Sequence, residues 1–455
     1  MPRTSRFLFI VAICLGLPFV AGLVLLALAL KNGGDMRQAS NQADAVSRSY
    51  RAAGLPWEAT DLVRGPAISD RDNACELVRT LAEKTHGQDF FEILPKITSS
   101  MAKQDWASVE RQLAPFDSAM NLGVAAAQKP DIDFHRDWDQ GTMVLLPEYS
   151  AMRSVSRLLC LRAQIECIHR RVPEGVCDLA AAFRLGNLVG KEPILISLLA
   201  QIGIQRIAIE TVSKCAWILR GNRHGLASLS SVVAECHMPD LNYVIRGEAY
   251  LGLATARNIR LFGGIKAIAG DPTAAGSGTQ TIDLARLRRT GLPDDLLDRA
   301  YMARYLQIWV QLKQVIDRFH GNPVQTGKAM DAIVENVLRR RRPSYAYCAI
   351  AIPGYGQALS DFVSLAALKI CSQAMLAAIR RDAPPNRYPT TIVDIPGTWI
   401  DPFNDKPLHV RRDAAGFRVY SVGPNHVDDG GVLRREAGYN TADYDVGVVY
   451  GPNAR

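Results

Sequence analysis

The spacing of apolar positions divides the chain into three unlike parts. Phe7 to Leu30 is apolar throughout except at Gly16, Pro18 and Gly22. At about 1.5 Å per residue this run is long enough to cross a hydrocarbon core of roughly 30 Å. Backbone polar groups in lipid must be paired internally, so the run predicts a transmembrane helix, kinked at Pro18. From residue 35 to about 380 the apolar period is close to 3.6. Met302, Tyr305, Trp309, Leu312, Ile316 and Phe319 form one stripe, and Leu365, Leu368, Ser372, Met375 and Ile379 repeat its rhythm. The same period predicts helices near 106–127, 147–171, 175–190, 194–219, 240–262 and 324–340. Pro173-Glu174-Gly175 reads as a short helix–helix turn, which favours antiparallel neighbours.

Beyond Pro384 the helical period stops. Leu408–Val410 and Phe417–Ser421 alternate around Asp413-Ala414-Ala415-Gly416, a hairpin signal, and Val446–Tyr450 reads as a third strand. The expected fold class is therefore mainly α: an N-terminal transmembrane helix, an antiparallel helical bundle or array, and a small C-terminal antiparallel β module. The corresponding segments are 1–34 (membrane anchor), 35–359 (helical domain) and 360–455 (helix plus β module).

The flanks of the apolar run set the expected compartment. Arg3, Arg6 and the terminal amine precede it, while Lys31, Asp35 and Arg37 come after it. The bias places the N-terminus inside and the bulk of the chain outside the cytoplasm, as a single-pass protein of the cytoplasmic membrane. A cleaved signal peptide is the competing reading, since Ala27-Leu28-Ala29 resembles its cleavage site, but the run exceeds the usual h-region of about 7–15 residues. Cys14 is preceded by Ile13 where a lipoprotein signal needs a small residue. Export is common to both readings. It permits disulfides among the eight cysteines after Cys14. Most lie in apolar helical stretches, where Cys serves as a small buried hydrophobe. A Cys167–Cys177 bridge across the Pro-Glu-Gly turn is geometrically possible. No C-x-x-C pair or zinc spacing occurs.

Composition narrows the class further. The chain has 455 residues, 48% hydrophobic and 22% charged, with a formal charge of +8. Such fractions exclude a disordered, collagen-like or disulfide-dense small protein. A mean hydropathy of −0.01 excludes a polytopic membrane protein. Gly and Pro are unevenly spread: residues 384–455 hold 8 of each, twice the density of the preceding chain, and carry 9 acidic against 8 basic side chains. The net positive charge therefore belongs to the helical part.

Several clusters invite a chemical reading. Asp131, Asp133, Asp137 and Asp139 gather with His135 in nine residues, an oxygen and imidazole set of metal-ligand type, with a solvated loop as the alternative. Arg339–Arg342 is a basic run closing a helix, where cations offset the dipole. Outside the cytoplasm its expected partner is an anionic envelope polymer, and no nucleic acid is expected. Arg286, Arg288 and Arg289 lie near the glycine-rich loop Gly270–Gly278. That loop lacks the Lys-Ser/Thr of a P-loop, and Ser277 lacks the glycine two residues upstream that a nucleophile elbow requires. Leu159 to Phe183 has the flavour of a helix-turn-helix solenoid unit without a second copy at fixed period. No small-molecule cofactor is evident.

The C-terminal segment carries a family resemblance. A helix ends near Ala377-Ala378-Ile379, and Tyr388-Pro389-Thr390-Thr391 lies beyond it. An Asp401-Pro402-Phe403 turn comes next, then Tyr420-Ser421-Val422-Gly423, Asp428-Asp429-Gly430-Gly431 and Asp443-Tyr444-Asp445-Val446. In this order the motifs resemble the C-terminal part of the major pseudopilins of bacterial type II secretion systems. The resemblance covers about a fifth of the chain, from about residue 360. Residues 1–30 contain no acidic residue, so the pseudopilin Glu five residues into the apolar helix is missing, and the chain is not itself a pseudopilin. The resemblance implies calcium at the acidic loop, with Ser421, Asp428, Asp429, Asp443 and Asp445 as ligands. Carboxylates, hydroxyls and carbonyls suit an ion that takes six to eight oxygens.

The expected function is a membrane-anchored structural or interaction protein of the bacterial envelope, held by residues 7–30. A protein partner is expected there, with a type II secretion or pilus-like apparatus as the sharpest version. The alternatives are an exported hydrolase acting on envelope polymer, with Asp131–Asp139 and His135 as its site, or a helical-repeat adaptor.

Overall fold

The computed structural model describes residues 30–85, 90–258, 293–339, 342–352, 354–380, 388–433 and 444–452. The described chain is mainly helical, with a small three-stranded antiparallel sheet near its C-terminus. Leu30 is its first residue, so the expected anchor segment up to residue 29 lies outside the described residues.

Helix α1 (30–52) buries Met36, Ala39, Ala43 and Tyr50, positions that share one face at helical spacing. That face joins α10 (Leu241–Arg257), α11 (Asp294–Arg318), α12 (Pro323–Arg339) and the short α13 (Ala346–Ala351) in a core rich in aromatic rings. Tyr305, Trp309, Tyr347 and Tyr355 pack there with ring centroids 5.5–6.2 Å apart, in the tilted and edge-on arrangements aromatic pairs prefer. A second core unites α2 (Cys75–Thr85), α3 (Phe90–Ala102), α4 (Trp106–Leu113), α5 (Asp117–Ala127), α6 (Pro147–Ile168) and α7 (Val172–Val189).

The third core runs from α6 and α7 through α8 (Leu195–Ile218) and α9 (Arg223–Ala234) to α14 (Gly356–Ile379) and the sheet. In the sheet, β1 (His409–Asp413), β2 (Gly416–Ser421) and β3 (Val446–Tyr450) lie in sequence order. Asp413 pairs with Gly416, so the hairpin closes on Ala414-Ala415. Helix α14 covers β2 and β3, and every residue of β2 is buried. The helix that introduces the β module is thus also a wall of the helical core.

Helices α8 and α14 are long and apolar enough to cross a membrane, with mean hydropathy of 1.4 and 1.8 over their most apolar windows. More than half of each window is buried within the protein. Buried Gln201 and Gln205 on α8 both donate to the His237 carbonyl, at 2.9 and 3.1 Å.

The period located most helices, and the differences are instructive. The expected 106–127 helix breaks at Ala114-Pro115-Phe116, because Pro115 offers no N–H and its ring crowds the carbonyl four residues back. The expected Pro-Glu-Gly turn is instead the first turn of α7. Pro173 sits where a helical N–H needs no partner, and the reversal occurs at 169–171, with Arg170 at φ 62°. Gly175 is helical for a packing reason: a Cβ there would lie 2.9 Å from the Ala163 carbonyl oxygen of α6. The period predicts no helix between 219 and 240, yet α9 forms there. Asn222 caps it, accepting from the Gly225 amide at 2.9 Å.

Candidate functional site

The acidic turn of the β module is assembled by two buried aspartates. Asp401 is fully buried. Its Oδ1 accepts from the Ser421 hydroxyl at 2.8 Å and the Phe403 amide at 2.9 Å, and its Oδ2 from the Val422 amide at 2.9 Å. The Asp-Pro-Phe turn is thereby locked to the end of β2. Asp445, 1% exposed, enters β3 and holds the opposite side. Its Oδ2 accepts from the Gly431 amide at 2.7 Å and its Oδ1 from the Asp429 amide at 3.3 Å. The glycines are needed here. Gly430 and Gly431 adopt φ of 69° and 78°, and a Cβ on Gly431 would meet the Arg418 side chain at 2.7 Å.

The charge around this turn is balanced from both directions. Burial pushes the Asp445 carboxyl up to about 6. The loop amides oppose that shift, and the neighbouring Asp428 and Asp429 charges add to it. Arg411 donates to the Gly430 carbonyl and Arg418 to the Gly431 carbonyl, both at 2.6 Å, while His409 lies 3.3 Å from Asp428.

Of the five expected calcium ligands, Asp428, Asp429 and Asp445 belong to one turn, but their carboxylates are engaged separately: Asp428 accepts from the Gly430 amide at 2.9 Å and lies beside His409, and Asp429 accepts from the Asn425 side-chain amide at 2.9 Å. Ser421 turns away to Asp401, and Asp443 lies outside the described residues. Both oxygens of Asp445 and the carbonyls of Gly430 and Gly431 already accept protein donors. The described donors fit a calcium ion only in part and do not by themselves supply six to eight oxygens. Among the described residues, no group of three or more His, Cys, Asp or Glu side chains is disposed to hold a metal.

The acid-rich run 131–139 does not converge. Asp131 lies 3.5 Å from Lys191, and Asp133 pairs with His135 at 3.3 Å. Asp137 caps a short 3-10 turn, and Asp139 accepts from the Tyr250 hydroxyl. The run's most constrained member is its one arginine. Arg136, 9% exposed at the side chain, reaches Glu148 at 2.8 Å and Glu192 at 2.9 Å, each 7% exposed. It also donates to the Leu145 carbonyl at 2.9 Å, and Tyr149 donates its hydroxyl to Glu192. Burial raises the Glu192 carboxyl, while Arg136 and Tyr149 pull it back down.

Two further acids, both half-buried, escaped the sequence pattern. Glu248 on α10 accepts from the Leu195 amide at 2.6 Å, and burial pushes it up to about 7. Its only sequence signal is an acid flanked by apolar residues on an apolar helix. Asp35, 11% exposed at the side chain, accepts from the Ser344 amide at 3.2 Å and lies 3.7 Å from Arg304 and 3.8 Å from Arg342.

The described cysteines are free thiols. Cys177 is exposed, whereas Cys167 is buried and engages Cys215 of α8, so the possible 167–177 bridge is not formed. The loop 270–278 with Ser277, the arginines at 286, 288 and 289, and Arg340 and Arg341 lie outside the described residues. No known protein family, curated protein or solved structure matches the chain.

Proposed function

We propose that this protein is a single-pass, membrane-anchored structural and interaction protein of the bacterial envelope. Residues 7–30 are its anchor, and the bulk of the chain lies outside the cytoplasm. The helical array presents a surface to a protein partner, and the C-terminal module is pseudopilin-like, which favours a type II secretion or pilus-like apparatus. The observation that carries this reading is the construction of the module. A long apolar helix lies over a β meander, and Asp401 and Asp445 clamp its loops to β2 and β3. That order of helix, Asp-Pro turn, strands and acidic turn is the one on which the resemblance rests. The acids of the module act chiefly as acceptors for loop amides, which suits a rigid docking element. Calcium belongs to the proposal as an ion that would further neutralise Asp428, Asp429 and Asp445.

The test is purification of the full-length protein from its native membranes after mild cross-linking. Recovery with components of a secretion or pilus-like apparatus supports the proposal. Recovery without them overturns the apparatus link, and release of the chain by alkaline carbonate overturns the anchor.

A further inference from the structure

The base of α1 gathers positive charge from distant parts of the chain. Asp35 lies five residues beyond Leu30, about 7.5 Å at helical rise. Its buried carboxylate draws in Arg304 and Arg342, and the Ser344 amide, 309 residues away in sequence, donates to it. Arg342 is 55% exposed at its side chain, and Arg339, three residues earlier at the end of α12, is 76% exposed. Lys31 and Arg37 on α1 are exposed as well. Against these cations stand Asp35, already facing two arginines, and Glu335, which pairs with Arg339 at 2.9 Å.

Given the proposed anchor, the distance to Asp35 sets Arg342 near a membrane surface. If the anchor's apolar run ends at Leu30, a guanidinium within 4 Å of Asp35 lies within roughly 12 Å of the hydrocarbon edge. The headgroup layer occupies about 5–8 Å of that, and the remainder is within a Debye length of about 8–10 Å. Exposed, flexible arginines and lysines at this height reach phosphates by extending their side chains.

We infer that the exposed cations near the start of α1, Lys31 and Arg37 on the helix and Arg342 beside Asp35 with Arg339 three residues before it, seat on anionic phospholipid headgroups of the bilayer that holds the anchor. The inference rests on the proposed anchor. It redirects part of the basic run from a soluble anionic polymer to the lipid surface, because the fold brings Arg342 to Asp35 near the start of α1. Lipid contact at this point would restrain the tilt of the helical array over the membrane.

The experiment uses the full-length protein in nanodiscs of equal phosphatidylglycerol and phosphatidylethanolamine, with retained lipids counted by native mass spectrometry. The wild type should retain phosphatidylglycerol at least threefold over phosphatidylethanolamine. The combined Lys31→Gln, Arg37→Gln, Arg339→Gln and Arg342→Gln variant should fall toward even retention, and a variant with Lys at the three arginine positions should keep the preference. Even retention by the wild type, or an unchanged preference in the glutamine variant, overturns the inference. Should the combined variant misfold, Lys31→Gln with Arg339→Gln alters only exposed side chains and is read in the same way. Carbonate extraction of proteoliposomes separates the two ideas. A chain released by carbonate overturns the anchor and this inference together. A chain that stays inserted without lipid preference overturns this inference alone.

Discussion

Replacing Arg136 by methionine should cost more than any exposed ion pair in the protein. The guanidinium is the sole cation between Glu148 and Glu192 in the described contacts, at 2.8 and 2.9 Å, and all three side chains are 7–9% exposed. Removing one partner of such a buried set typically destabilises by about 3–5 kcal/mol, because the remaining charges stay out of water. For a chain of this size that corresponds to a drop of about 3–5 °C in the melting midpoint. The pH dependence identifies the cause. Burial already raises the Glu192 carboxyl, and without Arg136 that effect would go unopposed. An acid raised in the folded state contributes stability that is complete below its unfolded value, near 4.5. That stability is lost as pH rises through the folded value. The variant's deficit should therefore be small at pH 5 and large at pH 8. Adding Glu148→Leu, Glu192→Leu and Tyr149→Phe to the methionine variant should recover most of the loss at pH 8, since an apolar replacement leaves no buried charge. Thermal and urea unfolding at both pH values provide the assay. A deficit equal at pH 5 and pH 8, or no recovery in the combined variant, would refute the reasoning.

Three further outcomes can be checked by the same measurements. Glu248→Gln should stabilise the protein at pH 8 by up to about 3 kcal/mol, because the wild-type carboxyl at about 7 is raised from 4.5 and loses stability as pH rises through that window. At pH 4 the two proteins should melt together, since the glutamine retains the acceptor for the Leu195 amide. Gly247→Ala should destabilise severely, as its Cβ would fall 1.6 Å from the Pro193 carbonyl oxygen, whereas Gly34→Ala, with nothing within 4 Å, should be neutral or stabilising by about 0.4–1 kcal/mol. Calcium should raise the melting midpoint of the full-length protein over that in chelator, and Asp428→Asn with Asp429→Asn should abolish the difference. Equal midpoints for the wild type would remove calcium from the proposed function.

The helices that could be read from the sequence are those whose apolar stripes recur over many turns. Helix α11 is the clearest: Tyr305, Trp309 and Leu312 are fully buried, at the positions its period marks. The three strands were equally legible, since alternation and a turn signal bracket a short hairpin. Shorter elements such as α2 and α9 give too few repeats to stand out from loops. The Pro-Glu-Gly segment misleads for a different reason. Proline and glycine both punctuate a chain in isolation, yet Pro173 suits the first turn of a helix, and Gly175 is set by the approach of α6.

For the acidic turn, sequence order was enough to bring Asp428 and Asp429 together, because they are adjacent, and to suggest Asp445 as a companion. It could not assign their hydrogen bonds. Ser421 belongs to Asp401, and Asp445 to the amides of Asp429 and Gly431, because strand pairing fixes which groups face one another.

Local pattern along the chain thus accounts for a definite part of this protein. Period sets the type of element, and a long, uncharged apolar run sets the expectation of an anchor. A shift in Gly, Pro and charge marks where helices give way to strands. Partnership between distant residues was decided only by tertiary structure. Asp35 meets Arg342, and Arg136 enters a pocket made by Glu148 and Glu192, because burial makes an unpaired charge costly wherever its partner lies along the chain. Periodicity records which face of a helix is apolar, but it carries no information on which other face will cover it.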